Sequence, residues 1–291
     1  MHYTINSLID RAVNRFNDEG VFYGHGSLDA EEEASFLVIR GLGLPFGEAL
    51  DFDRPLSDEE ASHILGLIER RAVDKIPAAY LLHEAWLGGF RFYCDERTLV
   101  PRSYISELLP EALSLWIGDY SGVRDILDLC TGSACLAILA KKYFPQASVT
   151  ASDISRDALD VAKINVHDYG MEQDIELVES DLFDNLNGRT FDLIISNPPY
   201  VTAKAMRDLP EEYRKEPELG LEAGEDGLDI VRRILRSAPA YLNDNGFLLV
   251  EVGDGKEVLE KAFPKTPFIW LATQTEEDMV FLLPKKDLPK C

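Results

Sequence analysis

At 291 residues with 46% hydrophobic side chains, the chain is long enough for two cored domains and too apolar to be a disordered tether. Its formal net charge of −23, from 29 basic and 52 acidic residues, argues against tracking along a phosphate backbone, which needs clustered Lys and Arg. The same charge fits a basic protein partner met by electrostatic steering, or plain solubility. No apolar run approaches the ~20 residues of a membrane span, so no membrane partner is expected. Met1–Asn6 carries no basic region ahead of an apolar core, which predicts a cytoplasmic location. Cys94, Cys130, Cys135 and Cys291 form no Cys-x-x-Cys pair and no zinc spacing. No metal is expected, and Cys130 and Cys135 read as small packing residues.

In chain order, Ile5, Leu8, Ile9, Ala12, Val13 and Phe16 predict a helix over 4–17. A Gly-rich break at 20–26 follows. A second helix is expected from near Asp29 to about Gly41, with Glu31, Glu32 and Glu33 in the first turn, where the helix dipole favours acids. A third starts at Ser57, with Glu60 three residues on as a capping box and Ala61, Ile64, Leu65, Ile68 and Ala72 on its buried face. Residues 1–78 therefore read as a small helical domain that contacts a partner or packs on a neighbour. Residues 79–104 read as a linker with a hairpin. Phe90, Phe92 and Leu99–Val100 lie in extended pieces, and Gly88–Gly89 and Asp95–Glu96 are the turn candidates. Leu108, Leu109, Ala112, Leu113 and Trp116 suggest a helix with Pro110 in its early part.

From residue 125 the pattern alternates. Strands are expected at 125–130, 148–152, 175–179, 191–196 and 246–252, and helices at about 134–143, 156–168 and 227–241. The fold class is thus α/β, a doubly wound parallel sheet covered on both faces and finished by a hairpin from 268–272 and 279–283. Ligands of such sheets bind past the carboxyl ends of the strands. The first strand ends in Asp128-Leu129-Cys130-Thr131-Gly132-Ser133-Ala134, a turn with one glycine ahead of a helix N-terminus. A tight structural turn explains it equally well. The second ends at Asp153, which either accepts both hydrogen bonds of a ribose diol or, like Ser155, caps the next helix. After the third come Asp181, an acceptor for an exocyclic adenine amine, and Leu182, which can pack on the ring.

The fourth strand delivers Asn197-Pro198-Pro199-Tyr200. Neither proline can donate to a ladder, and each pushes its predecessor toward extended geometry. The resulting turn is stiff and rich in acceptors. A planar –NH2 can donate one hydrogen to the Asn197 side-chain oxygen and one to the Pro198 carbonyl, with Tyr200 stacked on its flat face. In isolation the four residues are equally well an ordinary rigid turn.

Together, in this order, the four strand ends resemble class I Rossmann-like methyltransferases that use S-adenosyl-L-methionine to modify planar amino groups. Two families share the last motif, adenine amino-methyltransferases acting on nucleic acid and glutamine amide methyltransferases acting on protein. The stretches Ile76–Leu81, Phe92–Arg97 and Leu99–Ser103 look like the linker of the second, the HemK/Prm family, and so does the helical domain ahead of it. Asp95–Ser103 and Leu129–Ser133 resemble its PrmB type, which methylates a glutamine in the third protein of the large ribosomal subunit. The release-factor type usually carries Gly where Cys130 stands and Arg-Pro at Arg102-Ser103. A second glycine is usual at Ala134.

The resemblance implies three units: a helical substrate-recognition domain at 1–78, a linker at 79–104 and a methyltransferase domain at 105–291. It implies cofactor contacts from Asp128, Cys130, Thr131, Gly132, Ser133, Ala134, Asp153, Asp181, Leu182 and Asn197. It implies a target amide held by Asn197, Pro198, Pro199 and Tyr200, with Asn197, Pro198 and Tyr200 catalytic and S-adenosyl-L-homocysteine as product. The partner is then a basic ribosomal protein, with no sequence-specific nucleic-acid contact. Segment 207–229, with nine acids against three bases, is expected to steer it. A release factor as substrate, an adenine in nucleic acid, and a cofactor-binding assembly factor without catalysis remain open, as does the oligomeric state.

Overall fold

The computed structural model describes residues 2–45, 50–118, 120–274 and 276–289; Cys291, counted above, lies outside them. The chain begins with α1 (Ile5–Asp18), α2 (Ala30–Gly41) and α3 (Asp58–Ala72). Each starts where a capping side chain stands: Thr4, Asp29 and Ser57 accept first-turn N–H groups, and Ser57 with Glu60 closes the capping box. Leu8, Phe16, Leu37, Ile64 and Ile68 meet in a core belonging to these helices. Burying each such side chain is worth roughly 1.5–3 kcal/mol.

The linker differs from the sequence expectation. A short helix, α4 (Ala78–Leu82), precedes the hairpin of β1 (Ala85–Leu87) and β2 (Phe90–Phe92). Gly88 and Gly89 make the hairpin turn with φ of 58° and 80°, left-handed values that favour two glycines. Leu99–Val100 is in no strand. The single helix expected around Pro110 is instead two one-turn pieces, α5 (Ile105–Leu108) and α6 (Ser114–Ile117). Pro110 lacks the N–H a continuous helix needs and clashes with the preceding turn.

Next come β3 (Asp125–Leu129), α7 (Cys135–Tyr143), β4 (Ser148–Asp153), α8 (Arg156–Asp168), β5 (Ile175–Glu179) and β6 (Phe191–Ser196). They are followed by α9 (Ala203–Asp208), α10 (Asp229–Tyr241), β7 (Leu242–Glu251), α11 (Lys256–Ala262), β8 (Ile269–Leu271) and β9 (Val280–Pro284). The seven-stranded sheet has the order β5-β4-β3-β6-β7-β9-β8. Its first five strands run parallel, and β9 pairs antiparallel with β7 and β8. Two apolar cores cover its faces, one under α7 and α8 and the other under α10. The order reverses at β3, so the strand ends on either side of it open one crevice. No helix among the described residues is long and apolar enough to cross a membrane.

Candidate active site

That crevice holds a cavity of about 300 Å³, at the lower end of the range for small-molecule sites. Cys130, Thr131, Gly132 and Ser133 line it from the β3 turn, Asp153, Ile154 and Ser155 from the end of β4, and Asp181 and Leu182 from beyond β5. Asn197 and Pro199 come from beyond β6, so all four strand ends meet in one space. Much of the remaining wall is the linker 97–103 and, facing it, Pro217, Leu219 and Gly220. A side chain at Gly220 would place its Cβ 3.0 Å from Leu99, so a bare backbone lets these two walls approach.

The β3 turn is strained. Cys130, Gly132 and Ala134 have φ of 58°, 56° and 62°, and Leu182 across the cavity has 51°. Side-chain-bearing residues there cost roughly 1–2 kcal/mol each and cluster at functional sites. Left-handed backbone at 130 and 134 also explains why glycine suits both positions. Ala134 is fully buried behind the turn as the cap of α7 and does not line the cavity, so its methyl is absorbed by the turn and not set against a ligand.

Asp128 is also a correction. It lies fully buried beneath the cavity and accepts from Thr131 Oγ1 at 2.5 Å, bracing the turn from below. Its other oxygen has no partner, and burial, opposed by Thr131, pushes its carboxyl up to about 7. The folded protein therefore holds a proton there that the unfolded chain releases near pH 4, and the group's contribution to stability falls as pH rises from about 4 to 7. Asp128→Asn is expected to gain on wild type across that window, by roughly 4 kcal/mol at most. Urea unfolding against pH checks this, and parallel curves for the two proteins would refute it.

Asp153 is not the cap of α8; it binds two backbone N–H groups ahead of that helix. Its Oδ2 accepts the Gly132 N–H and its Oδ1 the Ser155 N–H, each at 2.9 Å, while Ser155 itself caps α8. Burial raises its pKa against those two donors. Asp153 also lines the cavity, so a carboxylate that ties the β3 turn to the β4 end is at hand for a diol. Asp153→Ala is expected to weaken S-adenosylmethionine by about 1–3 kcal/mol, the scale of losing hydrogen bonds to a charged acceptor. Calorimetry measures it; unchanged affinity would leave Asp153 a purely structural brace. Asp181 is paired with Arg233 of α10 at 2.9 Å, a cavity-lining cation that no sequence pattern flagged.

The motif beyond β6 alternates as extended backbone does. Asn197 and Pro199 line the cavity, whereas Pro198 is buried and Tyr200 turns the other way. Tyr200 therefore does not line this cavity. Its hydroxyl donates to Glu251 Oε1 at 3.2 Å, and its ring lies where a Cβ at Gly253 would come within 2.8 Å. Asn197 Nδ2 donates to the Arg102 carbonyl at 3.1 Å, which leaves Oδ1 as the free acceptor end of the amide.

The acids of 207–229 divide. Asp208, Glu211, Glu218, Glu222, Glu225 and Asp229 are exposed, but Glu212 and Glu216 are only 2% and 5% exposed. Both point inward to arginines and cannot steer a partner. Sequence reasoning also missed Asn165 of α8, whose amide bridges the Tyr93 backbone to the Ser133 carbonyl and so joins linker to turn. An Asn on a helix carries no signal for that.

A family profile described as "Methyltransferase small domain" matches residues 106–212. A ribosomal protein uL3 glutamine methyltransferase of Neisseria meningitidis serogroup B is 50% identical over 98% of this chain and 94% of its own length. The chain belongs to the ribosomal protein uL3 glutamine methyltransferase family. Another member, from Burkholderia pseudomallei, is 46% identical over 98% of this chain and 96% of its own. Among solved structures, the hMettl16 catalytic domain in complex with a MAT2A 3′UTR hairpin superposes with a TM-score of 0.50 at 15% identity, covering 81% of this chain and 86% of that one. That likeness establishes the fold alone. Membership in the uL3 glutamine methyltransferase family makes the chain a methyltransferase. Among the described residues no group of three or more His, Cys, Asp or Glu is placed to hold a metal ion.

Proposed function

We propose that this chain transfers the methyl group of S-adenosyl-L-methionine to the side-chain amide nitrogen of a glutamine in ribosomal protein uL3, releasing S-adenosyl-L-homocysteine. The observation that carries the reading is the fixed orientation of Asn197, whose acceptor end is free in the same cavity as the β3 turn, Asp153 and Asp181. The names of the relatives supply the protein substrate. The donor set fits the cofactor: Asp153 faces the cavity as the ribose acceptor, Asp181 and Leu182 suit an adenine, and the bare Gly132 backbone allows close approach. When bound, the cofactor supplies an activated methyl on a cationic sulfur.

The protein then has to make a poor nucleophile react. An amide nitrogen shares its lone pair with its carbonyl. Asn197 Oδ1 takes one of its hydrogens and favours pyramidal nitrogen, and alignment in the cavity adds a proximity term. Tyr200 acts by anchoring the turn through Glu251. The amide proton leaves to water after transfer, so no general base is assigned. Residues 1–78 serve recognition, 79–104 the linker and 105–291 the chemistry, in the cytoplasm where ribosomes are built.

The test is label transfer from methyl-labelled cofactor with purified uL3 and a release factor in competition. Label on uL3 is expected; label on the release factor alone, or on no protein, would overturn the reading. Association with uL3 is also expected to slow as salt rises, and to slow when Asp208, Glu211 and Glu218 are neutralised together. A salt-independent association rate would show that these exposed acids serve solubility only.

A further inference from the structure

Two buried carboxylates converge on the irregular stretch between Val100 and Tyr104. Glu216, whose side chain is fully buried, accepts the Val100 N–H at 2.9 Å and grips the Arg102 guanidinium with both oxygens, at 2.6 and 2.7 Å. Arg102 is backed by the Tyr213 ring, 5.4 Å from its Cζ, and His25 Nε2 lies 3.4 Å from Glu216 Oε2. From the other side, Glu251 at the end of β7 accepts Ser103 Oγ at 2.6 Å and Tyr104 N–H at 2.9 Å, besides the Tyr200 hydroxyl. Between them lies the Arg102 carbonyl, the group that takes Asn197 Nδ2. Residues 97–104 form no strand and no helix turn that would otherwise fix that carbonyl.

We propose that Glu216 and Glu251 are positioning residues for Asn197: by clamping Val100–Tyr104 they hold the Arg102 carbonyl, which turns the Asn197 amide so that its oxygen faces the cavity. The inference rests on the reading of Asn197 as the residue that holds the target amide. Physically, an amide has two nearly isosteric ends, and only a fixed acceptor at the nitrogen end prevents it from rotating. A bidentate carboxylate–guanidinium pair is the side-chain contact with the most directional geometry available. Burial pushes the Glu216 carboxyl up, but the Arg102 fork and His25 overcome this and hold it down at about 2, so it stays charged at working pH. The sequence expectation that Glu216 serves a partner is thereby replaced by an internal task. The clamp also carries the N-terminal helices into the reaction, because His25 lies in the loop between α1 and α2.

The test uses the full-length protein and three variants, Glu216→Gln, Glu251→Gln and Glu212→Gln. The third is the control. Glu212 is as buried and lies in the same segment, but it bonds Phe22 N–H and Arg71 and nothing in 100–104. The Asn197 side-chain amide signal, assigned by its loss in Asn197→Asp, is followed by 15N NMR, alongside cofactor titration and single-turnover methyl transfer. Glu216→Gln and Glu251→Gln are expected to move the Asn197 signal and lower the transfer rate about tenfold or more, as misplacement at a reacting centre does. Cofactor affinity is expected to stay within about threefold of wild type, since neither residue lines the cavity. Glu212→Gln should leave the Asn197 signal in place. An unmoved Asn197 signal in both clamp variants overturns the proposal, and so does an equal shift in the control. The NMR result stands whichever protein is the substrate, so wild-type enzyme that fails to methylate uL3 would sink the functional reading and not this one.

Discussion

Arg71→Ala is expected to destabilise the protein by about 3–5 kcal/mol, the cost of removing one partner from a buried ionic group. Arg71 is the largest fully buried side chain among the described residues. Its Nε bonds Glu33 of α2, its Nη1 lies 3.2 Å from Glu212, and its Nη2 donates to the Phe22 carbonyl at 2.8 Å. Removing it leaves Glu33 and Glu212, 3% and 2% exposed, facing each other without a cation. It also cuts an ionic tie between the helices at the N-terminus and the segment after the motif, leaving the contact of His25 with Glu216. The carboxylates can relieve their repulsion by taking up protons, so the loss should shrink as pH falls toward the carboxylate range. Urea unfolding at neutral and acid pH measures both effects. A loss below about 1 kcal/mol at neutral pH would mean water reaches the site and the group is not truly buried.

Most of the sheet was legible because buried parallel strands are short apolar runs separated by helical segments, and the N-terminal helices were legible from their caps. Ser57 with Glu60 and Asp29 ahead of three acids marked helix starts that the structure has. The four strand ends were legible for the same reason: a doubly wound sheet sends them to one edge whatever the details. The illegible part was which way a polar side chain turns. Glu212 and Glu216 look like surface acids until Arg71 and Arg102 arrive from residues roughly 100 or more positions away, and no local pattern encodes a partner at that distance. That Tyr200 does not line the cavity follows from the one-residue alternation of extended backbone, which the two prolines impose and which places Asn197 and Pro199 on its wall. Asp128 was misplaced for a related reason. A strand residue just before a ligand turn can face the ligand or the layer beneath, and every residue of β3 after Asp125 is buried, so only the Thr131 contact and the cavity lining distinguish the two.

Asn197→Ala is expected to lose on the order of 100-fold or more in turnover, comparable to removing one oriented polar contact at a reacting centre. On the proposed reading, Asn197 Oδ1 would hold the target amide better as its nitrogen pyramidalises than when it is flat. An interaction that strengthens in the transition state lowers the rate constant when removed, and does not merely raise the Michaelis constant. The fold should survive, because the side chain is half-buried against the cavity and its one hydrogen bond is to the Arg102 carbonyl, which can turn to water. Cofactor affinity should change far less than turnover. Asn197→Asp separates orientation from size. The aspartate keeps the acceptor but loses the N–H that Arg102 holds, and a carboxylate oxygen then faces a carbonyl oxygen, which repels it. On the same reading it would also set a negative charge near the cofactor's cationic sulfur, which would stabilise bound cofactor more than the transition state, where that positive charge disperses. The expected pattern is slow transfer with cofactor bound at least as tightly as in wild type. Single-turnover transfer beside cofactor titration reads both. Near wild-type transfer by Asn197→Ala with normal cofactor binding would reduce Asn197-Pro198-Pro199-Tyr200 to a rigid turn and remove the residue on which the catalytic assignment stands.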